Sequence, residues 1–76
     1  MPERELAIAV LYQAVQDLDL LLSPNKLERK DGERSVAFFR SGEPLAFWCA
    51  LAGIDETAVL ERVSKRLEVQ HERKTA

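Results

Sequence analysis

The chain has 76 residues, 46% of them apolar and 32% charged, enough for one small domain and too few for a second. With three Gly, three Pro and a single Cys among many Ala, Leu, Glu, Arg and Lys, the composition is neither disulfide-stapled nor disordered and reads as helical. Thirteen acids against eleven bases give a net charge of −2, which removes the global attraction to phosphate of a strongly basic chain and leaves nucleic-acid contact to local patches.

A chain this short buries only about 60–65% of the surface its unfolded form exposes, so a second copy or a partner protein is an expected source of further burial. The longest apolar stretch, Pro44 to Ile54, falls well short of the ~18–20 residues that span a bilayer. The start, Met-Pro-Glu-Arg-Glu-Leu, carries acids where a secretory signal needs a basic start and an apolar segment. A cytoplasmic location without a membrane partner is the expectation. The lone Cys49 suits a reducing compartment and reads as a small core residue.

Residues 3–22 are predicted as helix one. Leu6, Val10, Ala14, Leu18 and Leu21 form an apolar stripe at helical spacing, widened by Ile8, Leu11, Val15 and Leu22. Pro2 fits the first turn, Glu3 and Glu5 favour the positive end of the helix dipole, and Ser23-Pro24 stops the helix. This apolar face is wider than one small partner helix covers, so its excess meets the rest of the domain or, as the sharper alternative, a second copy. Tyr12 reads as an amphipathic residue at the core margin.

Residues 23–34 hold one large apolar side chain, Leu27, among dense charge, and Asp31-Gly32 is a turn signal, so a loop or a single helical turn is expected. Residues 35–41 are predicted as a short helix capped by Asp31, because no second strand-like run exists to pair with a strand there. Helices are then expected over 44–52 and 56–69. Pro44 sits in the first turn of the former, Gly53 tolerates the left-handed conformation at its end, and Asp55 is a strong N-cap for the latter. Ile54 and Val59 have the spacing of a hydrophobic staple, and Val59, Val63 and Leu67, with Leu60 beside them, form the buried stripe. Residues 70–76 lack apolar periodicity and are expected to fray. The fold class is all-α, a small bundle of three to four helices with a helix-turn-helix-like C-terminal half, in a single domain over 1–76.

A helix-turn-helix needs a small residue in its first helix, a corner Gly and apolar anchors early in its second helix. Cys49, Gly53, Ile54, Val59 and Val63 supply these, although a generic helical hairpin uses the same corner chemistry. Asp55, Glu56 and Glu61 at the start of the second helix repel phosphate, whereas Arg62, Lys65 and Arg66 attract it. Solvated surface is an equally weighted reading of these bases. Phe47 and Trp48 point about 100° apart on a helix, so both are core or one is an exposed anchor.

Catalytic residues are scarce: His71 is the only histidine, Cys49 is expected in the core, and there is no paired Cys or His at metal spacing and no glycine-rich phosphate loop. A non-enzymatic protein without cofactor, metal or small-molecule substrate is expected.

Ala7, Leu11, Ala14, Asp17 and Leu18, then Ala37-Phe-Phe-Arg-Ser41, Phe47-Trp-Cys49 and Leu51-Ala-Gly-Ile-Asp55, form a pattern that resembles small, uncharacterised phage and prophage proteins. These share an early helix, an Ala-x-x-Phe/Leu-x-Ser element and a Phe-x-x-Cys-x-x-x-Gly-Leu-Asp-like corner leading into an Arg-rich last helix. The resemblance spans residues 7–66, with Cys49, Gly53 and Asp55 as its distinctive motif. Glu56 and Val59-Leu60 stand where those proteins commonly carry Pro and Arg, which weakens the DNA contact. The resemblance implies a phage-associated role, commonly ascribed to DNA binding, and assigns no catalytic residue.

The first expectation is therefore a regulatory protein binding duplex DNA as a dimer, with Arg62, Lys65 and Arg66 on phosphates and Thr57 and Ser64 approaching bases. The second is an interaction protein, an inhibitor or adaptor docking on a host or phage protein through Phe38, Phe39 and Trp48.

Overall fold

The computed structural model describes residues 2–75 as four α-helices and one 3-10 segment, with no strand among the described residues. The helices are α1 (Pro2–Asp17), α2 (Lys26–Phe39), α3 (Glu43–Ala52) and α4 (Glu56–Thr75), and the 3-10 segment Leu18–Leu22 follows α1. The fold is all-α.

α1 packs along α3, and small side chains decide how closely: Ala7, Cys49 and Ala52 are buried together with Leu11 and Leu45. The two helices run antiparallel, since Arg4 at the start of α1 donates from Nε to the Ala52 carbonyl at the end of α3, 3.2 Å away. A guanidinium there satisfies an orphan carbonyl and meets the negative end of the α3 dipole. Gly53 closes α3 at φ +70°, with its own N–H bonding to Ala50 O and the Ile54 N–H to Cys49 O. That pair of bonds is a Schellman turn, which requires the left-handed residue that only Gly adopts cheaply.

Residues 24–34 depart from the expected loop. α2 begins at Lys26 because the Asn25 side chain accepts from the N–H groups of Leu27 and Glu28, at 2.9 and 3.3 Å. Asp31, read as a cap for a shorter helix, lies inside α2 and pairs with Arg34 at 3.3 Å. The buried stripe of α2 is Gly32, Ser35 and Phe39, at spacings of three and four residues. Two of these three lack a large apolar side chain, so hydropathy does not register the stripe. Gly32 is there because α2 lies directly on the 3-10 segment: a Cβ at Gly32 would stand 2.8 Å from the Leu21 backbone nitrogen.

Helix one also differs from its expected continuous run over 3–22, since α winding stops at Asp17 and 3-10 winding carries the chain to Leu22. Leu18, at the junction, is fully buried. Of the expected frayed tail, 70–75 is helical, and Ala76 lies outside the described residues. α4 runs through Thr75, and Gln70 within it is only 7% exposed. Its Nε2 donates to the Leu18 carbonyl at 2.9 Å and to Asp19 Oδ1 at 3.1 Å, which fastens the C-terminal half of α4 to the 3-10 segment. A polar residue thus anchors a segment that has no apolar periodicity.

Candidate functional site: the outer faces of α4 and the α1/α4 groove

Side chains three and four residues apart share a helix face. On α4 that rule turns Val63 and Gln70 inward, with Val59 and Leu67 half-buried beside them. The remaining surface divides by charge. Arg62, Lys65, Arg66 and Arg73 line one flank together with Val69, facing Asp19 of the 3-10 segment, and Glu61 borders Arg62 and Lys65 where the two flanks meet. The other flank carries Glu61 and Glu68 with Thr57, Leu60 and Ser64.

This division separates the five residues expected to touch DNA. Thr57 and Ser64 lie on the acidic flank, away from Arg62 and Arg66, and Lys65 borders both surfaces. Arg66 is already engaged. Its Nε donates to Asp19 Oδ1 at 3.1 Å and its second terminal nitrogen to Asp19 Oδ2 at 2.6 Å, a two-pronged pair that holds the guanidinium half-buried. The hydrogen bond from Arg66 holds the Asp19 carboxyl below the usual aspartate range, opposed by partial desolvation and aided by Gln70. The same bond raises the affinity of Arg66 for its proton.

The aromatic residues expected at a protein interface are also dispersed. Phe39 is 4% exposed and belongs to the core, because it continues the Gly32–Ser35 stripe of α2. Phe38 and Trp48 are half-buried against that core. Phe38 meets Phe39 edge-on, with ring centroids 5.3 Å apart, and Trp48 meets Phe47 likewise at 5.5 Å. The exposed aromatic of the second pair is Phe47, at 58%. Sequence alone could not choose between the adjacent Phe47 and Trp48, since either face of α3 is apolar.

Sequence reasoning named no groove. One lies between α1 and α4, about 380 Å³, floored by Leu11 and Val15, walled by Ile8, Tyr12, Ile54 and Val59, and bordered by Arg62 and Arg66. Ile8, Tyr12 and Ile54 are all exposed, Tyr12 by 64%. The signal for it was the excess width of the apolar face of helix one, part of which opens here rather than into the core.

Cys49 is buried, and burial pushes its thiol up from the ordinary value, with the charges of Glu56 and Asp55 acting in the same direction. A thiol so held stays protonated and is a poor nucleophile. Among the described residues no group of His, Cys, Asp and Glu has the arrangement of a metal site, and no helix is long and apolar enough to cross a membrane. No family model, curated protein or solved structure matches the chain.

Proposed function

We propose that the protein is a non-enzymatic docking domain that engages another protein through the groove between α1 and α4. The observation that carries this reading is the juxtaposition of exposed Ile8, Tyr12 and Ile54 with Arg62 and Arg66 in one concavity. Apolar side chains left in water inside a concave, charge-rimmed surface gain by burial against a partner, and aromatic and arginine side chains are the types that anchor such contacts. The resemblance to small phage and prophage proteins supports a setting in which a short chain inhibits or recruits a larger host or phage protein. Phe38, Phe39 and Trp48 have no part in this contact, the surface having passed to α1 and α4.

Photo-crosslinking tests the reading, with a crosslinker at position 12 of the full chain in its native cell. A discrete protein adduct is expected, lost in Ile54→Glu and retained in Leu27→Glu, which alters an exposed residue of α2 outside the groove lining. An adduct indifferent to Ile54→Glu, or one removed by nuclease, refutes it.

A second reading, regulatory binding to duplex DNA, is favoured by the basic flank of Arg62, Lys65 and Arg73. On this reading the contact is to phosphates and weakens steeply with salt. Arg66 is committed to Asp19, and Thr57 and Ser64 stand among acids, so base-specific contacts from them are disfavoured. Amide shifts on adding a mixed-sequence duplex at low salt, centred on residues 62–73, would establish this reading. Unchanged shifts at low salt would exclude it.

A further inference from the structure

We infer that the occupant of the α1/α4 groove is an amphipathic helix of a partner protein, with an apolar ridge flanked along one edge by acidic residues. The inference rests on the docking reading above and names the chemistry of the partner.

The α1 side of the groove supplies the first reason. Ile8, Tyr12 and Val15 follow one another at spacings of four and three residues along α1, and Ile54 and Val59 face them. The cleft therefore runs along α1 for two turns, about 10 Å, the length over which a docked helix presents anchors at matching intervals.

Charge supplies the second. Arg62 borders the groove and continues into the flank of Lys65, Arg66 and Arg73. Of the acids beside that flank, Asp19 is held by Arg66 through two hydrogen bonds, and Glu61 stands at its border next to Arg62 and Lys65. Arg62 and Lys65 are exposed, and among the described residues no ion pair engages either. The groove thus has an apolar floor and a positive edge on the α4 side. An acid-edged helix complements both, and such complementarity sets partner choice and orientation.

A two-fold contact about an axis across the groove would bring the bases of one flank against those of the other, whereas an acid-edged helix meets them with opposite charge. Duplex DNA satisfies the bases but leaves Ile8, Tyr12 and Ile54 uncovered.

The test uses the full-length, isotopically labelled chain and two helix-stabilised peptides with the same Leu ridge at i, i+4 and i+7, one edged with Glu and the other with Lys. Amide shifts around Ile8–Gln16 and Ile54–Arg66 are expected with the Glu-edged peptide, which binds about tenfold more tightly than the Lys-edged one at low salt; the gap should close as salt shortens the screening length. In the double variant Arg62→Glu, Lys65→Glu the preference should invert. Both substitutions fall on exposed side chains, and an unchanged dispersed spectrum verifies the fold. Equal binding of the two peptides, or no inversion in the variant, overturns the acidic-partner inference while leaving apolar docking intact. Failure of both peptides to shift the groove residues, with a duplex shifting Arg62 and Lys65, overturns the docking reading itself.

Discussion

Replacing Gly32 by Ala sets two physical effects against each other. Judged as a mid-helix position, Gly32→Ala should stabilise α2 by about 0.8–1.0 kcal/mol. The tertiary contact opposes this. The added Cβ would stand 2.8 Å from the backbone nitrogen of Leu21, 3.0 Å from its Cγ and 3.1 Å from its Cδ2. A rotation of the Leu21 side chain relieves the last two, but the nitrogen moves only if the 3-10 segment moves. Overpacking costs about 1–3 kcal/mol, and a backbone contact belongs at the upper end of that range. The net expectation is a loss of about 1–2 kcal/mol, which for a domain of this size lowers Tm by about 4–16 °C. Urea unfolding followed by far-UV ellipticity measures it, with m unchanged as the sign that only stability has moved. A gain of about 1 kcal/mol, as propensity alone dictates, would refute the close approach of α2 to Leu18–Leu22.

Gln70→Ala should cost about 2 kcal/mol, because it leaves the buried Leu18 carbonyl without its side-chain donor and empties the space beneath α4. Amide exchange over residues 67–73 should rise with it, whereas a tail already frayed would show neither change. Asp19→Asn should cost about 0.5–1 kcal/mol at neutral pH, since the Arg66 pair is only partly withdrawn from solvent. Because folding lowers the Asp19 pKa, this contribution is complete above the unfolded value, about 3.9, and disappears as pH falls through the lower folded value. The stability difference between wild type and Asp19→Asn should therefore stay constant from about pH 7 to 5 and narrow below about pH 4. A difference independent of pH down to about 2 would count against the pair.

Legibility in the sequence followed the range of the interactions. The corner between α3 and α4 could be read because Gly53 carries its own conformational signature and its cap bonds reach back only to Cys49 and Ala50. Hydropathy divides α2 into a loop and a short helix because its stripe is built from Gly32 and Ser35, whose burial reflects close approach rather than hydropathy. The bases of α4 were visible one by one, but the commitment of Arg66 to Asp19 was not. The groove was foreshadowed only by the surplus apolar width of helix one, and which part of that surplus stayed exposed depended on where α4 came to rest.

Helical class, the left-handed turn at Gly53 and the apolar stripe of α4 were determined by the sequence alone, since each is set within a few residues by sterics, capping and the 3.6-residue period, whereas the buried side of α1 is Ala7 and Leu11 and leaves Leu6 of the expected stripe exposed. Only the tertiary structure decided the pairing of Arg4 with Ala52, Arg66 with Asp19 and Gln70 with Leu18, across separations of 48, 47 and 52 residues. Those pairings order the end of α4, occupy one arginine of its basic flank and leave the groove beside α1 open. No local rule supplies them, because a polar side chain has many possible partners along a chain and acquires a particular one only when the packed helices bring it within hydrogen-bonding distance.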